Sequence, residues 1–132
     1  MNRAAFVTAI NCMDGRVRMP VIHYLKERWS VDCADVITEP GPVKVLSEGK
    51  DVATLDSIKR RMETSAGKHG SRHVAVVGHH DCAGNPVGEE AQLGQIVQSV
   101  RTVRSWGFQC EAVGLWVDKD WKARPVEAIS QK

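Results

Sequence analysis

The feature that most restricts the fold of this chain is an alternation of short apolar runs with longer segments of helical periodicity. Ala4–Ile10 (AAFVTAI), His73–Gly78 (HVAVVG) and Glu111–Asp118 (EAVGLWVD) are too short for comfortable helices and are apolar almost throughout. Such runs suit strands buried on both faces of a parallel sheet. Ala34–Thr38 is a further strand candidate, ended by Glu39-Pro40-Gly41-Pro42, which cannot continue a ladder and reads as a loop. Between the strands, Val21–Trp29 follows a proline suited to a first turn, Pro20, and aligns Val21 and Leu25 with Ile22 or Trp29. Asp51–Lys68 spaces Val52, Leu55, Ile58 and Met62 three or four apart. Glu89–Trp106 carries Leu93, Ile96, Val97, Val100 and Val103 on one stripe, with Gly107 at the C-cap. The expectation is an α/β fold, a central and mostly parallel β-sheet of about four or five strands flanked by helices. Glu39–Lys50 is the longest stretch expected to be mobile, and Trp121–Ile129 adds an edge strand or a tail.

A length of 132 residues suits one domain, so residues 1–132 are read as a single α/β domain. Eighteen Lys and Arg against sixteen Asp and Glu leave a charge of only +2, which argues against nucleic acid or acidic lipid as a partner. No apolar run nears the ~20 residues needed to cross a bilayer. Met1–Ile10 lacks the form of a secretory signal, and the expected location is cytoplasmic. In a reducing compartment Cys12, Cys33, Cys82 and Cys110 are core thiols, metal ligands or nucleophiles rather than two disulfides.

Two segments leave an apolar strand and turn polar at once: Asn11-Cys12-Met13-Asp14-Gly15-Arg16, and Gly78-His79-His80-Asp81-Cys82-Ala83-Gly84. In open parallel sheets, sites form beyond the carboxyl ends of strands. If both loops meet at one edge, they collect two thiols, two imidazoles, two carboxylates and a guanidinium. Zinc is the economical reason for such a collection, because Cys12, Cys82 and His79 offer the thiolates and imidazole it prefers. The His79-x-x-Cys82 spacing lets one turn supply two ligands, and Cys12 from a distant segment would tie two strands together. Taken alone, a His-x-x-Cys pair is weak evidence, better matched by buried core thiols and a surface histidine pair.

The complete pattern resembles the beta class of carbonic anhydrases. That family is marked by Cys-x-Asp-x-Arg and, a long interval later, Gly-His-x-x-Cys-Gly/Ala-Gly. Here these are Cys12-Met13-Asp14-Gly15-Arg16 and Gly78-His79-His80-Asp81-Cys82-Ala83-Gly84, with Arg16-Val17-x-x-Pro20 also in keeping. The resemblance implies a beta-carbonic-anhydrase-like sheet and a zinc ion on Cys12, His79 and Cys82, with water or Asp14 as fourth ligand. It also implies that Arg16 pairs with Asp14 and holds its carboxylate off the metal. The activity implied is the reversible hydration of carbon dioxide to bicarbonate by metal-bound hydroxide, Asp14 and Arg16 being the catalytic residues. The assembly implied is a homodimer or a higher homo-oligomer, and the four tryptophans of so small a chain agree with that.

This chain departs from the family pattern where substrate and partner subunits bind. Arg3 stands where the family has a glutamine, Ala5 where it has a proline, and Glu39-Pro40-Gly41-Pro42 where it has Ala-Gly-Asn. No N-terminal helical arm precedes the first strand, and the C-terminal end is shorter. A zinc-binding relative without hydration activity, or a hydrolase of another small linear substrate such as a carbon–sulfur compound, is therefore the rival reading. A remoter one is a cysteine phosphatase, from the Cys-x5-Arg spacing of Cys12 and Arg18, although Asp14 would then repel the phosphate. His80 is an ordinary loop residue, a hydrogen-bond donor behind the metal or a proton carrier. Asp81 would orient His79 or cap the next helix, while Cys33 and Cys110 read as packing thiols. Gly67-Lys68-His69-Gly70 lacks the order of a phosphate-binding loop, and Lys59-Arg60-Arg61 reads as a solvated helix face.

Overall fold

Among the described residues, five strands, numbered in chain order, form one sheet in the order second, first, third, fourth, fifth. In the computed structural model, which describes residues 4–126, these are β1 (Phe6–Cys12), β2 (Cys33–Glu39), β3 (His73–His79), β4 (Glu111–Val117) and β5 (Ala123–Pro125). The first four are parallel, and β5 runs antiparallel along β4. The chain steps from β1 to β2 on one side and places β3 on the other side of β1. That reversal opens a crevice at the carboxyl ends of β1 and β3, the usual place for a site in such sheets. Pairing between β1 and β3 runs only from Thr8–Val74 to Ile10–Val76, so the strands have parted before Cys12 and His79 are reached.

One face of the sheet is covered by α1 (Gly15–Trp29), which buries Val17, Val21 and Leu25 completely. Each contributes about 2 kcal/mol of apolar burial. Trp29 rather than Ile22 extends this stripe, partly buried against the same cluster. The helix begins earlier than its hydrophobic spacing indicates, so Pro20 lies inside it and not in its first turn. The reason is Asp14, whose carboxylate accepts the Arg16 N–H at 2.9 Å and caps the helix upstream.

The other face carries α2 (Pro42–Glu48), α3 (Val52–Glu63) and α4 (Glu89–Ser105). The expectation of a mobile Glu39–Lys50 loop is corrected by α2. Pro42 occupies its first turn, Gly41 and Gly49 flank it with φ of 65° and 69°, and Val43 and Leu46 are buried. Ser99 and Thr102 of α4 donate to the carbonyls of Val43 and Leu46 at 3.1 and 3.0 Å and tie the short helix to α4. In α3, Ile58 and Met62 are buried, whereas Val52 is exposed. Its last turn, Thr64–Lys68, widens into a π-helix, which sends Ser65 inward to Thr8 and Asp35. Gln92 and Ser99 share the inner stripe of α4 with Ile96, Val100 and Val103, and Val97 is only half-buried. Gly107 follows this helix with φ of 80°.

The expected tail from Trp121 resolves as a turn and β5, and its last residues lie outside the described ones, as does Arg3. Among the described residues, no helix is long and apolar enough to cross a membrane.

Candidate metal centre

Cys12 ends β1, His79 ends β3, and Cys82 lies on the loop leaving β3. All three are buried, and one ligand atom of each lies within 4.8 Å of the other two. The sulfurs are 3.9 Å apart and form no disulfide. Two thiolates on a tetrahedral zinc stand about 3.8 Å apart, given Zn–S bonds near 2.3 Å. The orientation of His79 follows from its neighbour. Its Nδ1 lies 2.7 Å from the carbonyl oxygen of His80. A carbonyl only accepts, so Nδ1 carries the proton and Nε2 keeps its lone pair. Among the described residues, no nitrogen or oxygen pairs with the buried Nε2, which leaves it to the thiols. A lone-pair nitrogen beside two close thiols, shut away from water, fits a divalent ion with soft or borderline tastes.

The thiols differ. Burial pushes Cys12 up, but the His79 ring and the backbone N–H groups of Gly41 and Asp14 outweigh it, leaving its pKa at about 7. Burial, with the Cys12 sulfur alongside, pushes Cys82 up to about 11, although Gly84 and Asn85 N–H groups oppose this. Burial also disfavours the charged imidazole of His79; Cys12, the His80 carbonyl and Asp14 reverse that and raise it.

Asp14 and Arg16 meet side by side, Nε and Nη2 donating to the two carboxylate oxygens at 3.0 and 2.7 Å. This bidentate pair, opposed by burial and helped by the Arg16 N–H, holds the Asp14 carboxyl at about 2. The same guanidinium reaches the second loop, donating to the carbonyl and carboxylate of Asp81 at 3.1 and 3.3 Å. Asp81 therefore braces Arg16. It neither orients His79, whose Nδ1 is taken by His80, nor caps α4, whose N-cap is Gly88. His80 serves through its carbonyl, while its ring is exposed. Cys33 and Cys110 lie elsewhere, at the start of β2 and before β4, half-buried, with the Cys110 thiol 3.0 Å from the Ser71 carbonyl.

Three contributors were beyond the reach of spacing arguments. Gln92, buried on α4, accepts the His79 N–H at 3.1 Å and donates to the His79 carbonyl at 2.8 Å. Gly41 brings the β2–α2 loop against the loop of Cys82. A Cβ on Gly41 would stand 2.9 Å from the Gly84 backbone, and one on Gly84 would stand 2.6 Å from Pro40. Trp121, from the turn between β4 and β5, lies with its ring centre 4.5 Å from the Arg16 guanidinium carbon. The only advance signal for these was a composition rich in tryptophan and, for Gly41, its place between two prolines.

A family model described as "Putative carbonic anhydrase" matches residues 2–127. The chain belongs to this carbonic anhydrase family. No curated protein matches it in sequence. Among solved structures, it is similar to tetrameric beta-carbonic anhydrases from the filamentous ascomycete Sordaria macrospora. That match has a TM-score of 0.57 at 14% identity, over 96% of this chain and 83% of that one. It is also similar to a beta-carbonic anhydrase of the fungal pathogen Aspergillus fumigatus, with a TM-score of 0.50 at 15% identity, over 98% and 78%. This carbonic anhydrase relative thus keeps the beta-class fold and a Cys-His-Cys triad able to hold a metal ion. Its departure at Glu39-Pro40-Gly41-Pro42 retains a glycine with positive φ at the contact with Gly84.

Proposed function

We propose that this protein is a zinc-dependent carbonic anhydrase, converting carbon dioxide and water reversibly to bicarbonate and a proton. The observation that carries this reading is the buried trio of Cys12, His79 and Cys82, with His79 Nε2 left to the thiols, beside an Asp14 locked by Arg16. Zinc held by the trio supplies the Lewis acidity that makes a water nucleophilic near neutral pH. The chain supplies the rest. Asp14, kept ionised by Arg16, accepts a hydrogen bond from the attacking water and orients it. Because both carboxylate oxygens are engaged by Arg16, Asp14 is assigned as an orienting acceptor rather than a fourth ligand. A cleft of about 280 Å³ reaches Cys82 from the side of α4, lined by Pro86, Val87 and Trp116 as well as His80, Asp81 and Glu89. The physiological partners proposed are carbon dioxide and bicarbonate, in a cytoplasmic setting.

The phosphatase alternative is poorly supported. Arg18 is exposed on α1, Cys12 lies against Cys82, and the Asp14 carboxylate already accepts at the helix N-terminus where a phosphate would sit.

Metal analysis with stopped-flow carbon dioxide hydration tests the proposal on wild type and Asp14→Asn. Both proteins are expected to hold one zinc per chain, with the variant slower by roughly 10²-fold. Zinc loss in Asp14→Asn would make Asp14 a ligand. A wild-type rate no faster than buffer would leave a zinc protein acting on another small linear substrate, such as a carbon–sulfur compound, or on none.

A further inference from the structure

We propose that Trp121 is a positioning residue of the metal centre: the face of its indole fixes the guanidinium of Arg16, and through it Asp14 and Asp81. The ring lies where three segments meet. Its centre is 4.5 Å from the Arg16 guanidinium carbon, 6.5 Å from the His79 ring and 6.3 Å from that of His80. Arg16 already donates to Asp14 and Asp81 in the plane of its fork, so its flat face is what remains for another group to hold. Without that cover the guanidinium, on an exposed side chain, is free to tilt out of the plane that matches Asp14.

The backbone shows that the ring is placed there against its own preference. Trp121 has φ of 60°, a conformation that a bulky residue rarely adopts. The surrounding turn imposes it. The Asp118 carboxylate accepts the N–H groups of Asp120 and Lys122 at 2.9 and 3.1 Å, and the Asp118 carbonyl accepts the Trp121 N–H at 2.9 Å. A turn wanting only to join β4 to β5 would be relaxed by glycine at this position. A strained residue held in place by its neighbours beside reacting groups points to a role in the site. The effect on turnover rests on the hydration reading, whereas the clamp on Arg16 does not.

The test uses zinc-loaded protein and three forms: wild type, Trp121→Gly, which suits the backbone but removes the ring, and Trp121→Phe, which restores an aromatic face. NMR of the arginine side chains reads the clamp directly. The Arg16 Nε–H of wild type should be shifted upfield by the ring and exchange about tenfold more slowly than in Trp121→Gly, with Trp121→Phe between them. Zinc content should be equal in all three, and kcat for hydration should follow the same order with KM little changed. An unshifted Arg16 resonance in wild type overturns the contact without any variant. Equal exchange in wild type and Trp121→Gly, or a phenylalanine no better than glycine, overturns the role. Absence of hydration by wild type brings down the proposed activity alone, and Nε–H exchange still decides the clamp.

Discussion

Gln92 holds His79 by its backbone, doing what an adjacent strand does elsewhere in the sheet. Pairing of β1 with β3 ends at Ile10 and Val76, which leaves the His79 N–H and C=O beyond the last rung. The Gln92 amide offers one acceptor and one donor at the right separation to replace that rung. Gln92→Leu keeps the volume but orphans two buried backbone groups, at a cost of about 1–3 kcal/mol for each. The expected outcome is a lower urea midpoint together with a zinc affinity weakened roughly 10–100-fold in competition with a chelator. Unchanged zinc affinity alongside lower stability would mean that the bracket supports the core and not the ligand. Gln92 also marks where sequence reading stops. Cys12, His79, Cys82, Asp14 and Arg16 announce themselves because their chemistry depends on spacing within two short loops. A glutamine on the apolar stripe of a helix gains its meaning only when folding brings it to His79.

Among the elements, α1 depends most visibly on the site, because its N-cap is also the proposed acceptor. Asp14→Ala removes the cap bond to the Arg16 N–H and should cost about 1 kcal/mol. The pH dependence has a definite sign. The folded Asp14 carboxyl titrates at about 2, below the 3.8 of the unfolded chain, so its stabilisation is complete above the higher value. It is lost as pH falls through about 2. Thermal melts of wild type and Asp14→Ala should therefore differ by a constant amount from neutral pH down to about 5 and converge only under strong acid. A difference that fades between neutrality and pH 5 would show that the pair with Arg16 does not hold in solution. The four parallel strands and three long helices were legible because burial on both faces, or on one stripe, writes a plain periodicity. The helix α2 was not. Its signals are a proline at the start and two buried residues, Val43 and Leu46, which a Pro-Gly-Pro loop conceals. The start of α1 was also hidden, since the cap that sets it is a carboxylate within the loop of the metal site, ahead of the apolar stripe.

In the whole molecule, the tryptophans say less about assembly than their number promises. Trp116 is buried, Trp29 stacks on His73, Trp106 packs on Phe108, and Trp121 covers Arg16. All four are thus accounted for within one chain. The homodimer that the sequence resemblance implies therefore gains no support from them. Sedimentation of a single 14.6 kDa species would remove it. Metal coupling to the fold gives a stronger prediction. Cys12 ends one strand of the central pair, His79 ends the other, and the crevice between them is where the ladder has run out. An ion held by Cys12, His79 and Cys82 would tie these ends together, and since the unfolded chain has no such site, its binding energy would become folding energy. Zinc at about a thousand times its dissociation constant adds about 4 kcal/mol, enough to raise the melting temperature by about 15 °C for a chain of this size. Chelation should reverse that rise, and His79→Ala should abolish it while leaving the chelated melt close to that of wild type. A zinc-induced rise that survives in His79→Ala would place the ion elsewhere, because His79 Nε2 is the buried nitrogen of the trio, with which no nitrogen or oxygen among the described residues pairs.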